Sequence, residues 1–160
     1  MTAGPVEPMR VLVVDDNADL VDVVAEFLGR EHDAIETATA ASAEEALEGI
    51  RADPPDCVVS DYDMPGRNGL ELLRDIRETE PDLPFILFTG KGSEEIASEA
   101  ISAGVTEYLQ KGTATEQYAV LANRIERAVG ERRARKRQAE TQRRFTMLVE
   151  NLPGMAYRCR

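Results

Sequence analysis

The sequence predicts an α/β fold: a doubly wound five-stranded parallel sheet followed by a C-terminal helical extension. Two observations predict it. Five short apolar runs punctuate residues 9–110, and each is followed by a stretch with apolar residues at helical spacing. Strands joined by single helices imply right-handed crossovers, hence a parallel sheet covered on both faces. A third observation says where to look for chemistry. Acids, a threonine and a lysine stand just past the strands, and ligands in open α/β sheets bind beyond the carboxyl ends of the strands.

The elements follow in order. MRVLVV (9–14) is strand-like and, Arg10 apart, apolar throughout, as expected of a strand covered on both faces. Leu20, Val23, Val24, Phe27 and Leu28 repeat at helical spacing, and Gly29 reads as the stop. A weak strand spans 34–38. Ser42, with Glu45 three residues on, reads as a capping box that opens a helix through Ile50. Pro54-Pro55 breaks it. CVVS (57–60) is the third strand, and Leu70, Leu73 and Ile76 mark the next helix. Pro81 and Pro84 bracket its end, and FILF (85–88) is the fourth strand. Ser93 opens a helix carrying Ile96, Ala97, Ala100 and Ile101, which Gly104 closes. VTEYLQ (105–110) is the fifth strand, and Leu121, Ile125 and Ala128 stripe the last helix.

Composition narrows the function classes. Apolar residues make up 42% of the chain, enough for a real core. The net charge of −11 hides an asymmetry: 27 acids face 10 bases up to residue 130, and 3 face 9 after it. An acidic body repels phosphates and does not favour nucleic acid. No window approaches eighteen consecutive apolar residues, so no membrane span is expected. The start, MTAGPVEPMR, lacks the basic and apolar regions of a signal peptide. Cys57 and Cys159 follow no metal spacing and read as free thiols of a cytoplasmic protein.

The strand-end residues carry the chemistry. Asp15 and Asp16 follow the first strand, Asp61 the third, Thr89 the fourth and Lys111 the fifth. Each alone has a plain reading. Asp-Asp-Asn can cap a helix, Asp63 can be a turn residue, and a lone threonine or lysine is usually structural or solvated. Their convergence on one sheet edge is harder to dismiss. Three crowded carboxylates repel unless a cation sits among them, and an all-oxygen ligand set favours Mg²⁺. Asp61 can then act as a nucleophile toward a phosphoryl group whose charge Mg²⁺ and Lys111 neutralise. The Thr89 hydroxyl can donate to a phosphate oxygen. The turn after Asp61, with Gly66 and Gly69, can aim backbone N–H groups at the phosphate.

The motifs VLVVDDN, SDYDMPGRNG, the threonine of FILFTG and the lysine of YLQK resemble those of two-component response regulator receiver domains over roughly residues 8–130. The resemblance implies a flavodoxin-like fold, βα repeated five times. It implies a phosphoacceptor switch rather than an enzyme, with a phosphoryl group passed to Asp61 from a histidine kinase or phosphotransfer protein. It implies Mg²⁺ held by Asp16, Asp61 and the backbone carbonyl of Asp63, with Asp15 acting mostly through water. It assigns Thr89 and Lys111 to the phosphate, and Thr89 and Tyr108 to the conformational switch. Read without the resemblance, Tyr108 is a half-exposed strand aromatic. One position departs from the pattern: Gly112 follows Lys111 where the family usually has proline. That predicts a looser connection into the last helix. Asp63 and Lys91, two positions past Asp61 and Thr89, are expected to pair or to influence attack by water.

The rival reading is a Mg²⁺-dependent phosphohydrolase of the haloacid dehalogenase type, with Asp61 and Asp63 as its two acids. Chain order counts against it: there the Asp-x-Asp strand comes first, whereas here Asp15-Asp16 come first. The chain also lacks length for a substrate-selecting cap. GKGS (90–93) is not a phosphate loop, because the glycine that should stand before the Gly-Lys pair, with four residues between, is missing. His32, the one histidine, is expected to be a surface loop residue.

The expected organisation is an N-terminal tail (1–8), the receiver unit (9–130), a basic helical linker (131–144) and the start of a further domain (145–160). FTMLVENLPGMAYRCR resembles the opening of a PAS sensory domain, so a C-terminal sensory or output module is the expected partner in a longer chain. The run ERRARKRQAETQRR offers a poor apolar seam. The helix is therefore expected to continue some turns past Gly130 and then fray, unless two chains pair through Phe145, Leu148 and Val149.

Overall fold

The computed structural model describes residues 7–90, 92–112 and 114–151. The elements run β1 (Met9–Val14), α1 (Ala18–Glu31), β2 (Ile35–Ala40), α2 (Ala43–Ala52), β3 (Cys57–Ser60), α3 (Gly69–Thr79), β4 (Phe85–Thr89), α4 (Glu94–Ala103), β5 (Glu107–Gln110) and α5 (Glu116–Asn151). The sheet order is β2-β1-β3-β4-β5 and every pair is parallel, which is the predicted fold class. The chain steps outward from β1 to β2, then returns to the other side of β1. That reversal opens a crevice beyond the carboxyl ends of β1 and β3.

Strand residues alternate between two cores. Val11, Val13, Cys57, Val59, Ile86 and Phe88 pack with α1 and α5, and Leu12, Val14, Val58, Phe85 and Leu87 with α2, α3 and α4. Central strands buried on both faces explain why MRVLVV, CVVS and FILF show no polar alternation. The edge strand β2 (IETATA) has a neighbouring strand on one side only, and it is polar in its middle.

Three expectations need correction. Gly29 does not stop α1, which runs two residues further. A glycine stop needs the left-handed conformation. Among the described residues only Gly66 and Gly104 have positive φ, and Gly104 (φ 92°) does end α4. His32 caps α1 instead, its backbone N–H donating to Leu28 O at 3.1 Å. Its ring is no idle surface group. Nδ1 accepts from Ala34 N–H at 3.2 Å and Nε2 lies 3.0 Å from Glu126 Oε2, tying the end of α1 to α5. Ser42 does accept from Glu45 N–H, but the Glu45 carboxylate accepts from Ala41 rather than from Ser42. The reciprocal capping box belongs to Asn68 and Glu71 at the start of α3.

The outer strands are also displaced from their predicted bounds. β2 lies a residue or two later, and β5 starts at Glu107 rather than 105. Val105 N–H is used to close the end of α4, donating to Ala100 O at 3.0 Å, so it is withdrawn from the ladder.

Contacts divide the chain into two compact units, Met1–Val129 and Gly130–Arg160. In the second, residues 130–151 are helical, and Phe145, Met147 and Leu148 are exposed. The rest of the expected PAS opening, 152–160 with Cys159, lies outside the described residues, as does the tail 1–6. Among the described residues no helix is long and apolar enough to cross a membrane.

Candidate functional site

At the end of β1, Asp15 continues the ladder through its N–H to Ala40 O and is buried. Its Oδ1 accepts from Asn17 N–H at 3.0 Å, which turns the chain into α1. Asn17, not either aspartate, caps that helix by accepting from Leu20 N–H. The plain reading of Asp-Asp-Asn is thus used up by its third member, and Asp15 and Asp16 are left facing the crevice edge. One carboxylate oxygen each from Asp15, Asp16 and Asp61 lie within 4.8 Å of one another.

Asp61 is fixed from several sides. Its N–H donates to Val14 O at 3.0 Å, and its carbonyl accepts from the buried Ser60 hydroxyl at 2.8 Å. Its Oδ1 accepts from Tyr62 N–H at 2.8 Å. The loop that follows folds back on the strand: Gly69 N–H donates to Tyr62 O at 2.8 Å. A Cβ on Gly69 would stand 2.3 Å from Asp61 O, so only glycine fits there. Gly66 takes the left-handed turn, φ 81°. These are the two glycines the motif promised, one for conformation and one for space.

Thr89 is fully buried, and its side chain hydrogen bonds to Asp61. Lys111 N–H donates to Thr89 O at 2.9 Å, which carries β5 one residue past its ladder. Its ammonium lies 3.2 Å from Asp15 Oδ2 and 3.8 Å from Asp61 Oδ1, and 5.7 Å from the Phe88 ring centroid. The five residues, from four strand ends, do meet. Asp63 sits in the same loop with an exposed side chain. Lys91, its expected partner, lies outside the described residues.

Burial pushes the Asp61 carboxyl above its ordinary range, and the Asp15 carboxylate adds to this. Lys111, the Thr89 hydrogen bond and Tyr62 N–H pull the other way without prevailing. Three carboxylates gather here beside one lysine. A hard divalent cation would balance them, and a donor set made entirely of carboxylate oxygen fits Mg²⁺.

Two contacts near the site, one made at Gly92 and one made by Gln117, escaped the sequence reading. Tyr108 packs its ring against the α2/α3/α4 core. Its hydroxyl is buried with no hydrogen-bond partner among the described residues, a cost of about 1–3 kcal/mol. A Cβ on Gly92 would stand 2.6 Å from that hydroxyl. Gln117 meets the departure at Gly112: Gly112 N–H donates to Gln117 Oε1 at 2.5 Å, a bond that a proline cannot make. No local pattern announces either contact, because each joins residues from different elements.

Comparison with known proteins agrees with this arrangement. The model of the response regulator receiver domain matches residues 11–123. The C4-dicarboxylate transport transcriptional regulatory protein DctD of Rhizobium meliloti is 37% identical over 158 residues, 97% of this chain and 33% of that protein. The response regulator MprA of Mycolicibacterium vanbaalenii is 36% identical, over 69% of this chain and 47% of its own. The chain thus spans between a third and a half of these relatives. Among solved structures, a response regulator receiver domain protein from Clostridium thermocellum has a TM-score of 0.70 at 27% identity, covering 79% of this chain and 98% of that one. The receiver domain of NtrX from Brucella abortus has a TM-score of 0.65 at 36% identity, covering 75% and 98%. With the match running through all five strands and most of the compact unit, the chain belongs to the response regulator receiver domain family.

Proposed function

We propose that the unit is a phosphoacceptor switch of a two-component system, and that Asp61 is its acceptor. The observation that carries the reading is the surroundings of one carboxylate. Asp61 lies 3.8 Å from an ammonium, is hydrogen bonded by a buried threonine, and shares a crevice with two further acids. In the transfer, an Asp61 oxygen attacks the phosphorus of a phosphohistidine. The P–N bond breaks, and the imidazole of the histidine kinase or phosphotransfer protein leaves with its electron pair. Lys111 and the Thr89 hydroxyl take up charge on the phosphoryl oxygens. Asp16, Asp61 and the Asp63 backbone carbonyl would hold Mg²⁺, with Asp15 reaching it through water. When bound, the ion neutralises charge on the transferring group.

The product is an acyl phosphate, a state rather than a released molecule. Thr89 lies beside that group and reports it, and Tyr108 answers by changing position. The output belongs to the remainder of a longer chain, reached through the helical segment 131–144. A PAS-like sensory module beginning near residue 145 fits the sequence there, and pairing of two chains through Phe145, Leu148 and Val149 would cover apolar side chains. Phe145 and Leu148 are exposed. Relatives are named as transcriptional regulators, but the acidic unit itself does not suit nucleic acid, so any such output lies in a linked module. A cytoplasmic site of action suits a phosphorelay partner. The phosphohydrolase reading finds no support among the relatives and is set aside.

The test is direct. With Mg²⁺ and acetyl phosphate the protein should gain one base-labile phosphoryl group, and Asp61→Asn should not. Equal labelling of that variant would overturn the assignment.

A further inference from the structure

The connection from β4 to α4 approaches β5 closely at one residue. A Cβ on Gly92 would stand 2.6 Å from the Tyr108 hydroxyl and 2.7 Å from Gln110 Cδ and Nε2. Tyr108 and Gln110 are two apart on β5 and share a face of the strand. Gly92 is not there for its backbone, since positive φ among the described residues is confined to Gly66 and Gly104. It is there for room. What fills the room is a hydroxyl that is buried and makes no hydrogen bond among the described residues. The inward position of Tyr108 is therefore permitted by a missing side chain and locked by no polar partner among the described residues.

We propose that Gly92 is the positioning residue for the Tyr108 switch: it keeps open the space the hydroxyl enters, and any side chain there drives Tyr108 out. This rests on the reading of Tyr108 as the aromatic that moves, and adds the residue that sets its balance. The atoms a new Cβ would meet are the far ends of two side chains. An alanine is accommodated by moving those ends, not by unfolding the loop. Gly92 contributes no group to the Asp15–Asp61–Lys111 cluster, so the chemistry at Asp61 is retained while its report to β5 is lost.

The test uses the full chain carrying 3-fluorotyrosine, with the Tyr108 ¹⁹F resonance assigned by its absence in Tyr108→Phe. In the wild type that resonance should show little H₂O/D₂O isotope shift. In Gly92→Ala it should move and acquire the full solvent isotope shift, while labelling by acetyl phosphate stays within about twofold. Thermal unfolding supplies a second reading. Phenylalanine lacks the atom that the Cβ meets, so Tyr108→Phe should raise the Tm more in the Gly92→Ala background than in the wild type. An unmoved Tyr108 resonance, or equal Tm gains in the two backgrounds, overturns the proposal. If Gly92→Ala alone does not fold, the double variant should, and a double variant that stays unfolded also overturns it. Failure of wild-type labelling would instead strike the phosphoacceptor reading and leave the Gly92–Tyr108 readouts standing.

Discussion

Two connections leave the carboxyl edge of the sheet with a charged residue at their head, and they are built differently. The β3–α3 connection, 61–68, is held by backbone. Its start bonds to β1, its end folds under Asp61, and a reciprocal capping box fixes the entry to α3. The β5–α5 connection, which begins at Lys111, is joined to α5 by a side chain, Gln117, bonding to Gly112 N–H, beside a long turn bond from Gln117 N–H to Ala114 O at 3.4 Å. The acid is locked and the cation is tethered. A nucleophile must meet phosphorus at one angle, so its position is best fixed by close-packed main chain. A counter-charge has to follow a phosphoryl group as it arrives, and a long side chain on a lighter tether can do so.

Four predictions break or sharpen that contrast. The largest concerns Asp61 itself. Asp61→Asn should abolish labelling and at the same time stabilise the metal-free protein at neutral pH. The sign follows from the shift. A carboxyl raised by burial binds its proton more tightly folded than unfolded, so ionising it costs stability as pH rises past its ordinary value. The gap between variant and wild type should thus be widest near neutral pH and close as pH falls through the Asp61 pKa. Urea unfolding of both proteins across pH checks it, and a gap that grows on acidification would contradict the electrostatic account.

Next comes the main-chain lock. In Gly69→Ala the Cβ would stand 2.3 Å from a backbone oxygen, which cannot swing aside as a side chain can. The expected loss is about 4 kcal/mol or more. Gly112→Ala is the control, since a Cβ there meets Gln117 Oε1 only at 4.0 Å. Its Tm should change little. Similar Tm losses in the two variants would erase the difference between the loops.

Third, Lys111→Met removes the ammonium that lies 3.2 Å from Asp15 and 3.8 Å from Asp61. Labelling by acetyl phosphate should slow by about 10²–10³-fold, the usual scale for losing one transition-state charge partner. Rates within threefold of wild type would remove Lys111 from the chemistry.

The smallest effect is that of the tether. Gln117→Ala deletes an exposed hydrogen bond and should cost about 0.5–1.5 kcal/mol by chemical unfolding. A loss comparable to that of Gly69→Ala would show that the second connection is locked as firmly as the first.

Much of the crevice is legible before any coordinates. Asp15, Asp61, Thr89 and Lys111 each follow an apolar run, and strand ends are set by where such runs stop. Parallel connectivity then forces those ends onto one edge. Gly66 and Gly69 are likewise readable as glycines with work to do, although which one serves conformation and which serves space is not. Errors fall where local signals compete. Gly29 looked like a stop because glycine often is one, yet α1 continues to a cap at His32 whose ring is held by Glu126 on a distant helix.

The sequence by itself determined the order of strands and helices, the fold class and the polar residues that share the carboxyl edge. These follow from periodicity and chain order, which are properties of neighbours along the chain. Tertiary structure alone decided that Gly92 makes room for the Tyr108 hydroxyl, that Gln117 closes the loop after Lys111, and that burial outweighs Lys111 in setting the proton affinity of Asp61. Each of these depends on distances of a few ångströms between residues from different elements. Steric exclusion and desolvation act through space at that range, and one-dimensional spacing does not encode it.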